Sequence, residues 1–300
     1  MNISIIIPCY NNAESLWELI NRLKKIEENQ VFNAHTIEYV FVDDKSEDDT
    51  YTIQQEIKAK YPNQIKIIKL TRNFGSYNSF LAGMIYAQGD CNVYLHADLQ
   101  DPPELIPSMF EHYLNGYKLV IANRSERADN SIFSNLYHIM VKHFAIKDIP
   151  KGGFDLVLFD SKIREEIVAI SEKNTNNVYL ISWLGYPYVN IPYNREERKY
   201  GKSQWKFFAK AKLFVDTFFS FGNIPLWTIR FSFVLLVIYL FVKLLIVMIT
   251  PGYDLEKLEI PFLSVLISLM LLIIGEYISR VHESVRKRPN FIVEKVIDSE

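Results

Sequence analysis

The 300-residue sequence is poor in cysteine, in net charge, and in repeated or low-complexity tracts. Its two cysteines, Cys9 and Cys91, both fall in apolar, strand-like runs, which suits buried thiols and argues against a disulfide framework. A net charge of -2 removes the basic balance of a nucleic-acid binder, so no nucleic-acid partner is expected. Nothing at Met1-Asn2-Ile3-Ser4 resembles a secretory signal, because there is no basic region and Pro8 interrupts a short apolar run. The expectation is that the N-terminal part stays in the cytoplasm.

What is present is a succession of apolar strands that each end in polar clusters. Ile3 to Ile7 is a continuous β-branched run, as in a parallel strand covered on both faces. A helix from Ala13 to Glu28 follows, with Leu16, Leu19, Ile20 and Leu23 at helical spacing. Strands are predicted at Ile37 to Val42, Ile65 to Leu70 and Val93 to Leu95, separated by a helix over Tyr51 to Lys60 and another from Arg72-Asn73-Phe74-Gly75 to about Gly89. Further strands are expected at Tyr117 to Ala122, Leu156 to Phe159 and Tyr188 to Tyr193. Successive strand-helix units predict an α/β, doubly wound sheet.

In such a sheet, ligands bind beyond the carboxyl ends of the strands, so the polar clusters there are the candidate site. In Val93 to Glu104, strand alternation would set His96, Asp98 and Gln100 on one face. Asp98 and Gln100 offer a carboxylate and an amide oxygen to a hard divalent cation, Mg²⁺ or Mn²⁺, that keeps positions for substrate phosphates. Asp101-Pro-Pro-Glu104 has helix-start grammar, so capping is the first reading of Asp101. In the acidic loop Asp43 to Thr50, Ser46, Asp48 and Asp49 suit turns and caps, while Asp43 and Asp44 at the strand end can accept hydrogen bonds from a nucleobase. Arg124 and Arg127 can pair with a diphosphate or stay solvated. Gly152 and Gly153 allow close approach to a ligand or a tight turn. The loop Arg195 to Ser203 is either a phosphate clamp or a solvated charge run.

Composition changes after about residue 204. Trp205 to Phe221 interleaves lysines with aromatics, like a helix lying in the headgroup layer. Two apolar segments follow, Ile229 to Ile249 and Phe262 to Ile278, and at ~1.5 Å per residue the first crosses a ~30 Å hydrocarbon core. Lysines and arginines flank the pair, whereas the connecting stretch Pro251 to Ile260 carries only Lys257 with three acids. Positive residues stay inside, which predicts a two-helix hairpin with both termini cytoplasmic. Glu276 is expected to pair with Arg230. The expected division is 1–203 cytoplasmic domain, 204–228 amphipathic interfacial region, 229–282 transmembrane hairpin and 283–300 cytoplasmic tail.

Pro8-Cys9-Tyr10-Asn11, Val42-Asp43-Asp44-Lys45-Ser46, Arg72-Asn73-Phe74-Gly75, Ala97-Asp98-Leu99-Gln100-Asp101-Pro102-Pro103-Glu104, Gly201-Lys202-Ser203 and Gly275-Glu276-Tyr277 run in order along nearly the whole chain. In this it resembles the polyisoprenyl-phosphate glycosyltransferases of glycosyltransferase family 2, the inverting GT-A group that includes dolichol-phosphate mannose synthase and the bactoprenol glucosyltransferases. The resemblance implies a GT-A fold and transfer of one sugar from a nucleotide-sugar donor, expected to be UDP-linked, to a polyprenyl phosphate at the cytoplasmic membrane leaflet. It assigns Pro8, Tyr10 and Asp44 to the nucleobase, with Asn11, Asp43, His96 and Ala97 also on the nucleotide and Arg124 on the diphosphate. It gives Asp98 and Gln100 the divalent cation, and Arg195, Arg198, Lys202 and Ser203 the acceptor phosphate. Asp98, Arg198 and Asp155 are the catalytic candidates. A separate flippase partner fits the bacterial two-span members, and a homo-oligomer is compatible.

The sequence departs from the family pattern in three places. Asn12 stands for a usual Glu, His96 for the first Asp of Asp-Ala-Asp, and Gly153 and Asp155 for an Asp and an Arg. Imidazole is a poor Mg²⁺ ligand, so His96 is read as a hydrogen-bonding residue. A transferase that extends a saccharide or lipid-linked glycan, and a noncatalytic assembly factor of the same fold, are the alternatives.

Overall fold

The structure is a computed structural model that describes residues 1–124, 154–170, 177–196, 199–200, 216–217, 224–249, 256–286 and 288–298. Four strands, β1 (Asn2–Cys9), β2 (Thr36–Asp43), β3 (Ile65–Leu70) and β4 (Cys91–Tyr94), alternate with helices α1 (Ala13–Glu27), α2 (Thr50–Lys60) and α3 (Ser76–Tyr86). Then come α4 (Ile106–Leu114), β5 (Leu119–Arg124), β6 (Phe154–Asp160), α5 (Ser161–Ala169), α6 (Asn177–Trp183) and β7 (Val189–Tyr193). Two long helices, α7 (Ile224–Ile249) and α8 (Glu256–Val285), precede a last strand, β8 (Val293–Ile297).

The sheet order is β7-β5-β6-β4-β1-β2-β3-β8. β4, β1, β2 and β3 run parallel, β6 is antiparallel to both β4 and β5, and β8 is antiparallel to β3. The sheet is therefore mixed. Its faces explain the uninterrupted isoleucines of β1. Ile3, Ile5 and Ile7 join one core with Leu16, Leu19 and Leu23 of α1, Ile57 of α2 and Phe110 of α4, while Ile6 joins another with Phe80 of α3 and Ile163 of α5. A strand covered on both sides needs apolar residues at every position. Chain direction reverses at β1: the chain steps to β2 and β3 on one side, then crosses back to β4 on the other. That reversal opens a crevice at the carboxyl ends of β1 and β4.

Strand β8 has no counterpart among the strands expected from sequence. It pairs Ile297 with Ile67 and Val296 with Ile68, and the Thr71 N–H donates to the Ile292 carbonyl at 3.0 Å. The residues that follow α8 thus cap the edge of the sheet. Among the described residues, Leu263–Val285 is the one stretch apolar and long enough to cross a membrane, and none of it is buried; in α7 the described apolar run is Leu226–Tyr239. Glu276 pairs with Arg280 (2.9 Å), one turn along the same helix, and Arg280 also pairs with Asp216 (2.8 Å). This corrects the expected Glu276–Arg230 contact. An i,i+4 partner lies within reach without any tertiary constraint, while Arg230 stands over the Trp227 ring.

Candidate active site

Among the described residues, three non-glycine residues adopt left-handed backbone, namely Asn11, Lys45 and Leu99, with φ of 53°, 60° and 59°. They follow the carboxyl ends of the adjacent strands β1, β2 and β4. Strain at such positions persists only where surrounding contacts over-determine it, and it gathers at ligand sites.

Hydrogen bonds between the β1 and β2 loops hold Asn11 in this conformation. The Asn11 N–H donates to Ser46 Oγ (3.1 Å), and Asn11 Oδ1 accepts the Glu47 N–H (2.8 Å), which stitches the β1 loop to the β2 loop. Asn12, in place of the usual Glu, accepts the Tyr10 N–H (2.8 Å). Asp48 makes the turn expected of it by accepting the Thr50 N–H (3.0 Å), but Asp49 at the start of α2 makes no side-chain cap. Asp43 is fully buried and accepts the Ser46 N–H (3.2 Å). Asp44, also buried, accepts the Phe74 N–H (2.7 Å) and the Gly75 N–H (2.8 Å), so it binds the loop after β3 to the end of β2. Burial pushes its carboxyl up to about 6, and those two backbone donors pull the other way.

Beyond β4 the structure corrects the alternation argument. The strand ends at Tyr94, and residues 97–99 form a turn in which Leu99 is left-handed, so His96, Asp98 and Gln100 do not share a strand face. Pairing between β4 and β1 ends at Tyr94 opposite Ile6, whereas β1 itself continues to Cys9 beside β2. Asp98 Oδ1 accepts the Gln100 N–H across this turn (3.2 Å), and Ser15 at the start of α1 donates to the Ala97 carbonyl (2.6 Å).

Asp101 is the main correction. Its side chain caps nothing: Pro102 precedes the short 3-10 turn Pro103–Leu105, and no side-chain cap is made. With 0% exposure it is instead the hub of the site. His96 Nδ1 lies 3.0 Å from Oδ2, the Tyr193 hydroxyl donates to Oδ1, and Arg195 Nε is 3.4 Å from Oδ1. Burial opposes its charge, yet the His96 hydrogen bond, the Arg195 charge and the Tyr193 hydroxyl hold the carboxyl well below the usual range. His96 Nε2 meets the Tyr94 hydroxyl at 3.0 Å. Burial drives Tyr94 well above a normal phenol, so its hydroxyl stays protonated, and because the ionised Asp101 carboxylate can only accept, Nδ1–H donates to it. Both ring nitrogens are thereby engaged within the protein.

Arg124 and Asp155 form a close ion pair, joined by Arg195 at 3.8 Å from Asp155. Register explains the meeting. Asn123 of β5 lies opposite Phe154 at the start of antiparallel β6, and Arg124 opposite Tyr193 of parallel β7, so three strands deliver charges to one edge. Asp155, a catalytic candidate, is ion-paired to two guanidiniums. Arg124 and Arg195, expected on the diphosphate and the acceptor phosphate, hold carboxylates in this state. Arg127, Gly152, Gly153, Arg198, Lys202 and Ser203 lie outside the described residues.

Among the described residues, no group of three His, Cys, Asp or Glu could hold a metal ion. The turn at Asp98 and Gln100 fits a weaker demand, since Mg²⁺ takes one or two protein oxygens and completes its shell with substrate phosphates and water. Sequence reasoning missed the hub role of Asp101 and the part of Tyr193. The only available signal was the position of Tyr193 at a strand end.

The open, mixed α/β sheet with its crevice at the carboxyl edge is a GT-A-like fold. The Glycosyl transferase family 2 model matches residues 4–157, and the chain belongs to that family. It is 33% identical over 305 residues to the uncharacterized glycosyltransferase YkcC of Bacillus subtilis, covering 97% of this chain and 93% of that one. It is 28% identical over 307 residues to the SfII prophage-derived bactoprenol glucosyl transferase of Shigella flexneri, covering 98% of each. Among solved structures, the mannosyltransferase PcManGT of Pyrobaculum calidifontis, in complex with GDP-Man and Mn²⁺, is similar at 17% identity with a TM-score of 0.48, over 77% of this chain and 60% of that one. The chain is thus a glycosyltransferase.

Proposed function

We propose that this transferase moves one sugar, with inversion, from a UDP-linked donor to a polyprenyl phosphate at the cytoplasmic leaflet. The observation that carries the reading is the union in one chain of the β1/β4 crevice with the apolar helix α8. Bactoprenol glucosyl transferases among those relatives support a lipid phosphate as acceptor.

In this reading the nucleobase sits by Tyr10 and the Asp44 loop. Asp98 and Gln100 hold Mg²⁺ or Mn²⁺, which when bound screens the charge that grows on the leaving diphosphate. Arg124 and Arg195 exchange their carboxylate partners for donor and acceptor phosphates, with Arg198, Lys202 and Ser203 completing the acceptor side. A phosphate monoester has a second pKa near ~6 and is already an anion at neutral pH. It needs orientation and charge screening rather than a base, so a glycine at position 153 and an ion-paired Asp155 are compatible with turnover. Helices α7 and α8 form the hairpin, and a separate flippase would carry the product across.

The test is a screen of UDP- and GDP-sugars against undecaprenyl phosphate in vesicles, with mass detection of the lipid. A hexosyl-phosphoryl-undecaprenol product is expected from a UDP-sugar. Donor consumption with only saccharide products would overturn the acceptor assignment.

A further inference from the structure

Helix α1 makes a set of contacts that the chemistry above does not use. Arg22 grips two carboxylates, those of Glu104 and Glu196. Its Nε and Nη2 reach Glu104 at 2.8 and 2.6 Å, and its Nη2 and Nη1 reach Glu196 at 2.7 and 3.4 Å. The Arg22 side chain is only 19% exposed, so these fork-shaped pairs are partly shielded from solvent. One helical turn earlier, Glu18 accepts from Lys199 Nζ (3.0 Å) and from the Tyr200 hydroxyl (2.9 Å). The Glu196 N–H donates to the Gln100 carbonyl at 2.9 Å.

Glu104 follows the turn that carries Asp98 and Gln100, on the donor side. Glu196 and Tyr200 belong to the segment after β7 that begins with Arg195, on the acceptor side. Helix α1 therefore contacts both halves of the site, and it fastens the acceptor segment at Glu196, Lys199 and Tyr200. We propose that Arg22 is a positioning residue that locks the donor turn and the acceptor loop into one register, so that the acceptor phosphate rather than water meets the sugar. The proposal rests on the reading of the segment after β7, of which Arg195, Glu196, Lys199 and Tyr200 are described, as the acceptor side. Orientation of this kind governs how a bound donor partitions between two nucleophiles.

The experiment uses the full-length chain in vesicles with UDP-glucose and undecaprenyl phosphate as probes, comparing wild type with Glu196→Gln and Arg22→Lys, which keeps the charge but loses the fork. Losing a charge-assisted contact is expected to raise the acceptor KM about tenfold and to increase the share of donor hydrolysed, with the donor KM within about twofold. Hydrogen exchange supplies a readout free of any assumption about the acceptor. Amides of residues 194–200 are expected to exchange faster in both variants, with β1 to β4 unchanged. Unchanged exchange at 194–200, or an equal rise in donor and acceptor KM, would overturn the proposal. If wild type makes no lipid-linked product, the proposed function fails while the exchange result still decides whether Arg22 holds the loop.

Discussion

Asp44 joins the ends of β1, β2 and β3, since its own N–H donates to the Cys9 carbonyl (2.9 Å) while its carboxylate accepts from Phe74 and Gly75. Its folded pKa of about 6 lies above the usual carboxylate value, so the folded state holds this proton more tightly than the unfolded chain. As pH rises from about 4 to about 6, Asp44 therefore lowers stability, and above that window its cost is complete. Asp101, held well below the ordinary range, acts in the opposite sense: its contribution is present at neutral pH and is lost only when strong acid protonates it. If the ionised Asp44 accepts from a nucleobase, UDP affinity should increase as pH climbs through about 6 and level off near neutrality. Titration calorimetry at several pH values would check this, and Asp44→Asn should flatten the acid limb; a limb that survives the substitution assigns it elsewhere. Asp98→Asn is expected to lower turnover at least ~10²-fold with the fold intact, because charge on the leaving diphosphate goes unscreened. Near-normal rates for that variant in chelator-treated membranes would remove Asp98 from the cation site.

Helix α3 approaches strands β1 and β2 closely at Gly83. A Cβ at Gly83 would stand 2.2 Å from Ile6 Cγ2 and 3.3 Å from Val42 Cγ2, and neither branched side chain has a free end to swing away. Gly83→Ala should therefore destabilise the domain by ~1–3 kcal/mol, as overpacking does. A denaturant midpoint equal to wild type would show that α3 rides higher on the strands. Elements also differ in how readable they are. The covered strands β1 to β4 and the amphipathic face of α1 were legible because each pattern lies within one window of sequence. Strand β8 was not, for it has only five residues, two of them charged, and its partner β3 lies more than two hundred residues earlier. Glu294 there pairs with Lys45 (2.9 Å) and Lys69 (3.0 Å), so a segment expected only as a tail is tied to the β2 and β3 ends.

At the scale of the molecule, β8 limits how the chain can thread a membrane. Strands β3 and β8 share one sheet, so a crossing by α8 has to be matched by a second crossing between β7 and β8, and α7 is the described helix available for it. Single cysteines placed in Pro251 to Ile260 should then react with an impermeant maleimide added outside the cell, whereas one at Ser299 should not, in keeping with the charge asymmetry. Buried Cys9 and Cys91 keep the background low. Labelling of both positions from one side would exclude the hairpin. By itself the sequence determined which segments are covered strands and where apolar helices stand, because hydrophobic periodicity is a property of neighbouring residues. Tertiary structure alone decided that Asp101 is a buried hub rather than a cap, that Arg124 and Arg195 hold Asp155, and that Arg22 bridges Glu104 and Glu196. Each of those contacts depends on which strand edges and helices meet across long separations, and that pairing is settled by packing the two cores, not by any local stretch of chain.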